Sequence, residues 1–156
     1  MLPTVASSGT TQFRVTATDR AGNTGTPAAW PALRPALVQQ SAPAVVYRGT
    51  WRKASSSRYS GGSVRYATAA RATTTFSFTG RSIAFVSLRA AGRGKVKVYV
   101  DGSSTATVLD LRGATACRWV AWTRQWSTSG RHTVRLVVAG TLGRPRVDVD
   151  AFAVLR

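Results

Sequence analysis

Glutamate is absent from this 156-residue chain, and its only carboxylates are five aspartates, Asp19, Asp101, Asp110, Asp148 and Asp150. A hydrolase built on paired carboxylates needs two acids facing each other across a cleft. Asp19 and Asp101 fall in expected turns, so few acids remain for that chemistry, and a non-enzymatic role is expected. Cysteine is nearly absent as well. Cys117 stands alone, which excludes a disulfide framework and a thiolate zinc cluster. Its place in a strand pattern reads as a small hydrophobe rather than a nucleophile. His132 is the single histidine, and an imidazole tied to a turn is the favoured reading over a catalytic base. No apolar run is long enough for a transmembrane helix, so no membrane insertion is expected. Residues 1–9 lack a basic stretch followed by an apolar one, so any export signal is expected outside this chain.

Positive charge, by contrast, is abundant: 22 Lys and Arg face those five acids, for a formal net charge of +17. Such a surface attracts polyanions at long range. The basic residues are dispersed along the chain instead of gathered into one run, which argues against a dedicated nucleic-acid arm and for solvated outer faces of strands. Hydrophobic residues make up 44% of the chain, enough for a packed core. The length accommodates one ordinary domain plus a fragment.

Periodicity places the elements. Residues 10–18 alternate at period two through Phe13, Val15 and Ala17 and run into Asp-Arg-Ala-Gly-Asn, a turn cluster. Residues 26–43 are proline-rich and read as an extended connector or a ragged final strand of the first unit. From residue 44 onward short strands alternate with Gly and Ser turns, the pattern of a β-sandwich. About nine strands are expected, near 45–48, 63–67, 72–79, 82–88, 95–100, 104–111, 117–123, 132–138 and 146–154. Val96, Val98 and Val100 share an inward face, as do Val134, Leu136 and Val138, while Lys95, Lys97 and Tyr99 face outward. Ile83 to Leu88 is apolar on both faces, as a central strand would be, and Asp101-Gly102 is a hairpin turn.

Two stretches resemble known families. TQFRVTATDRAGNTG is similar to the closing strand and turn of bacterial immunoglobulin-like or fibronectin type III repeats. That resemblance implies that residues 1–25 are the C-terminal remnant of such a domain, followed by a connector over 26–43. Residues 44–156 resemble the jelly-roll domains of galactose-binding, carbohydrate-binding-module type that end many large secreted bacterial proteins. The resemblance rests on VVYRGTW, SSSRYSGGSVRYA, TFSFTGRSIAFV, KVKVYVDG, TRQWSTSGRHTVRLVV and RPRVDVDAFAV in that order. It implies an all-β jelly-roll sandwich and an extracellular, monomeric module of a longer chain that attaches to a carbohydrate or cell-surface polymer. It equally admits a spacer with no ligand, because a fold hosts many functions. Such modules often hold a structural calcium near their ends, which hard oxygen ligands such as Asp148 or Asp150 can supply. The Glu that the family carries on its first strand is absent here.

The candidate site residues follow from phase. Asp148 and Asp150 lie two apart on one expected strand, so both leave the same face and can share a proton or a cation. Pairing with Arg144 or Arg146 is the plainer reading. Flat aromatic rings cover the apolar face of a pyranose, so the aromatics divide into core and surface. Trp122 shares a face with Val120 and is expected in the core, and Trp51 and Trp126 are expected to plug the sandwich ends. Trp119 and Tyr99 fall on polar phases. Tyr99 with Lys97 and Arg135, together with Trp119, forms the first candidate ligand surface, able to stack a sugar and bind an anionic substituent. Arg58 and Tyr59, in the SSSRYSGG loop, form the second.

Overall fold

The computed structural model describes residues 14–29 and 33–156. In the first part, β1 (Arg14–Val15) pairs antiparallel with β2 (Ala28–Ala29). The Asp-Arg-Ala-Gly-Asn turn between them closes on Asp19, whose Oδ1 accepts the backbone N–H groups of Ala21 and Asn23, each at 2.9 Å. Phe13 and the rest of the expected strand before Arg14 lie outside the described residues.

The second part is a two-sheet antiparallel sandwich. Its elements are β3 (Pro35–Gln39), β4 (Val45–Arg48), β5 (Arg52–Ser55), a 3-10 turn (Ser60–Gly62) and β6 (Ser63–Ala67). They continue with β7 (Thr73–Arg89), β8 (Lys95–Val100), β9 (Thr107–Asp110), β10 (Ala116–Val138), β11 (Val147–Val149) and β12 (Ala151–Leu155). A seven-stranded sheet runs β3-β12-β7-β10-β8-β9, with β4 also paired to β7, and a three-stranded sheet runs β11-β6-β5. The all-β jelly-roll reading is therefore correct.

Several strand limits differ from the periodic reading, each for a physical reason. The expected strands at 72–79 and 82–88 are one 17-residue strand, β7, and those at 117–123 and 132–138 are one 23-residue strand, β10. Glycine at Gly80 and Gly130 imitates a turn in the sequence, yet the two glycines pair directly across β7 and β10. They let both strands bend together. A Cβ on Gly80 would stand 2.7 Å from the Leu155 carbonyl oxygen and 2.8 Å from Val154 Cγ1, so the close approach of β12 requires glycine. At the bend the inward phase slips: Thr74, Phe76 and Phe78 are buried before it, Ile83, Phe85 and Ser87 after it. The expected strand at 146–154 is instead two strands in different sheets, because Asp150 leaves the small sheet and donates its N–H to Val86 O at 3.1 Å. The expected strand at 104–111 shortens to β9. Residues 26–43 are more than a connector, since β3 forms the outer strand beside β12 with a proline as its first residue, a position sheets tolerate. Arg52–Ser55, given no strand in the sequence reading, is β5.

The core lies between the sheets, where Phe76, Phe85, Phe152, Ile83, Leu111, Leu136, Val64 and Val147 are fully buried. Each such side chain contributes roughly 1.5 to 3 kcal/mol by leaving water. Phe76, Phe85 and Phe152 form an aromatic seam, with Phe76 and Phe152 stacked at 4.9 Å. The expected inward valines of β8 and β10 are all in or against this core.

Candidate functional site

The outer face of the large sheet carries the first site. Alternation along β8 turns Val96 and Val98 to the core and Lys97 and Tyr99 to solvent. Antiparallel register then aligns residues across the strands. One row runs Val46, Thr75, Arg135, Tyr99, and the next runs Arg48, Thr73, Val137, Lys97, Val108. The Arg135 guanidinium lies over the Tyr99 ring at 4.4 Å from its centroid, an arrangement worth about 0.5 to 1 kcal/mol at an exposed site. Ser77 and Thr133 hydrogen-bond one another across the same face at 3.0 Å. These rows present aromatic, hydroxyl and cationic groups and no carboxylate.

Trp119 does not join them. Arg118 adopts φ of +53°, and the β10 to β7 register slips between Ala116 and Trp119 and again between Val120 and Trp122. This bulge reverses the expected phase: Val120 is 51% exposed, while Trp119 packs half-buried against the core with Arg89 at 5.1 Å over its ring. Trp119 pairs with Ser87 and Arg135 with Thr75, so the two residues occupy opposite ends of the long strands. The second candidate pair, Arg58 and Tyr59, belongs to the Trp119 end. There the Arg118 guanidinium donates to the carbonyls of Ser57 and Tyr59, both at 3.0 Å. The structure therefore keeps Tyr99, Lys97 and Arg135 together and separates them from Trp119, Arg58 and Tyr59.

The two aspartates are buried and do not share a ligand. Asp148 binds Arg93 Nε at 2.5 Å and Arg146 Nη2 at 2.6 Å, and Arg146 also lies 3.8 Å over the Tyr66 ring. A cation at Asp148 would face two guanidiniums. Asp150 Oδ1 accepts the Ser60 N–H at 2.9 Å, and Gln39 Nε2 donates to Ser60 Oγ at 3.0 Å. Asp150 Oδ2 and Gln39 Oε1 are buried without a partner. Burial pushes the Asp150 carboxyl up to about 6, opposed by the Ser60 amide and the positive Arg118 and assisted by the negative Asp148. Calcium takes six to eight oxygens, several of them from carboxylates. One free carboxylate oxygen and one amide oxygen fall short, and among the described residues no group of three or more His, Cys, Asp or Glu is placed to hold a metal. The donor set does not fit a calcium ion. Arg144, offered as a partner for this pair, binds Asp110 instead, at 2.5 and 2.8 Å.

Sequence phase missed a cleft at one end of the sandwich. Trp126, expected as an end plug, does pack on the core, with its ring edge against Phe78. It also lines a hollow of about 280 Å³ together with Val98, Val100, Asp101, Ser103, Thr105, Thr107 and Arg124. His132 is tied to a turn, and the structure identifies it as that of Asp101: its Nδ1 lies 2.8 Å from Asp101 Oδ2, and its ring stacks on Trp126 at 3.7 Å. The signal in the sequence was the concentration of Trp126 and His132 around the Gly130 bend. What it did not give was the Asp101 to Thr107 loop that folds over them.

No family model matches the chain. Its sequence is 31% identical over 110 residues to an A type blood alpha-D-galactosamine galactosaminidase of Flavonifractor plautii, covering 70% of this chain but only 10% of that protein. The fold is similar to a family 35 carbohydrate binding module from Clostridium thermocellum, with a TM-score of 0.51 and 14% identity, covering 76% of this chain and 97% of that one. It is also similar to part of a family two carbohydrate esterase from Cellvibrio japonicus, with a TM-score of 0.59 and 12% identity over 79% of this chain and 34% of that one.

Proposed function

We propose that this chain is a non-catalytic attachment module of a secreted, multi-domain protein, and that it binds acidic carbohydrate on the outer face of its large sheet. The observation that carries the reading is the stack of exposed Arg135 on half-buried Tyr99, flanked by Lys97 and Arg48 in two cross-strand rows that hold no carboxylate; the outer-face acid Asp110, opposite Lys95, is held by Arg144. The guanidinium presents a planar fork to a carboxylate or sulfate substituent, and the ring and hydroxyls meet the sugar body. The resemblance to a whole carbohydrate binding module supports it, since that likeness spans nearly all of the known module.

The disposition of the acids supports a non-catalytic role. Asp19 closes its own turn, Asp101 holds His132 and the Thr133 amide, Asp110 holds Arg144, Asp148 holds two arginines and Asp150 is buried against Ser60. Each of the five carboxylates has at least one partner within the fold. With only five acids against 22 Lys and Arg, a net charge of +17 has no counter-charge in the chain, which favours a second reading, sequence-independent attraction to any polyanion.

Pull-down of the purified chain on neutral and acidic polysaccharides, with DNA as control, separates these readings at low and high salt. Preference for one acidic glycan that persists at high salt and falls at least tenfold in Tyr99→Ala and Arg135→Ala establishes the module and its site. Equal capture by every polyanion, abolished by salt, leaves charge alone. Capture by none makes the chain a spacer.

A further inference from the structure

We infer that the hollow beside Trp126 is a second, separate binding site for a single uncharged sugar unit. The two sites lie on opposite sides of the same strand. Tyr99 and Lys97 leave the outer face of β8, whereas Val98 and Val100, of opposite parity, line the hollow. Ligand on one face therefore does not block the other.

The hollow has the parts that recognise a neutral pyranose. Trp126 forms one wall. Its indole is fixed by stacking on His132 at 3.7 Å and 17° and by its edge contact with Phe78, so little side-chain freedom is lost when a ligand arrives. Because His132 covers one ring face, a ligand meets the other face or the edge. Asp101 supplies a carboxylate that is 40% exposed while still gripping His132 and the Thr133 N–H. It can accept from sugar hydroxyls without moving. Arg124, 5.9 Å from the Trp126 centroid, donates, and the hydroxyls of Ser103, Thr105 and Thr107 do both. One acid and one base on the same rim balance each other, which fits an uncharged ligand better than the Arg135, Lys97 and Arg48 rows of the outer face do. The volume of about 280 Å³ falls just below the range for drug-sized ligands and suits one ring.

The supports are built into the fold. Asp101 and Gly102 both have positive φ, at 51° and 75°, so the tight turn aims the Asp101 carboxylate back across the sheet at His132. The bulge around residues 126–129, where the β10 to β7 register slips between Gln125 and Gly130, swings Trp126 over the end of β8.

The test is calorimetric titration of the whole chain with methyl glycosides of galactose, N-acetylgalactosamine, glucose, mannose and xylose at high salt. Saturable binding of at least one glycoside is expected, weakened at least tenfold by Arg124→Ala and by Trp126→Ala and unchanged by Tyr99→Ala. Arg124 is exposed, so its variant reports on the site without disturbing the core, and thermal melting controls for Trp126→Ala. The inference is overturned if no glycoside binds, or if binding survives both substitutions in folded protein. Loss only in Tyr99→Ala also overturns it, by assigning the sugar to the outer face. Failure of the outer-face reading shows instead with acidic polymers in the Tyr99 and Arg135 variants.

Discussion

Asp148 and Asp150 are two residues apart, equally buried and chemically identical, yet their surroundings make them opposites. Asp148 is the middle residue of β11 and lies against two guanidiniums. Asp150 crosses from one sheet to the other and meets one backbone amide, with its second oxygen unpartnered. A buried charge is stable only when it is paired and hydrogen-bonded. Local sequence thus places two acids side by side, and tertiary neighbours decide that one is a fixed anion and the other a strained one.

The largest test of this contrast is Asp148→Ala, which leaves Arg93 and Arg146 facing each other without a counter-charge. A loss of about 3 to 5 kcal/mol in denaturant unfolding is expected. A smaller loss would show that the arginines relax into solvent. Asp150→Asn is expected to act in the other direction at neutral pH, because the amide keeps the Ser60 hydrogen bond and removes the desolvated charge. A shift of about two pKa units corresponds to a gain of about 2 to 3 kcal/mol.

The same contrast appears in pH. The folded Asp150 binds its proton at about 6 and the unfolded one at its ordinary 3.8, so protonation favours the folded state. This stabilisation is complete below about 4 and disappears as pH rises through 6. Asp110 behaves in reverse. Its hydrogen bonds from Arg144 lower its carboxyl to about 2, so its contribution is present above the ordinary carboxylate range and is lost as pH falls through 2. Stability should therefore peak near pH 4, by thermal melting across pH, and Asp150→Asn should flatten the slope between 4 and 6. Asp110→Ala is a smaller change, under about 1 kcal/mol, because that pair is partly exposed. The smallest effect is expected from metal: melting with excess calcium and with chelator should coincide, and a calcium-dependent rise would restore Asp148 or Asp150 as a calcium ligand.

The outer face was readable because alternation at period two needs only the local backbone. Lys97, Tyr99 and Arg135 were assigned outward from their own strands, and antiparallel register then aligned Arg135 with Tyr99. Trp119 was not readable. One residue in the left-handed region, Arg118, shifts the phase of Trp119 and Val120 until the register slips again before Trp122, and nothing in Cys-Arg-Trp-Val announces a bulge. The glycines at 80 and 130 misled for a related reason: a glycine that relieves close packing looks the same in sequence as a glycine that turns the chain.

By itself, then, the sequence determined the fold class, the inward valines and the Asp101-Gly102 hairpin turn, because each depends on period two or on backbone preferences a few residues long. Only the tertiary structure decided the pairing of Gly80 with Gly130, the different fates of Asp148 and Asp150, and the hollow at Trp126. Each of those depends on atoms brought together from distant parts of the chain, where burial and a specific neighbour, not local pattern, set the free energy.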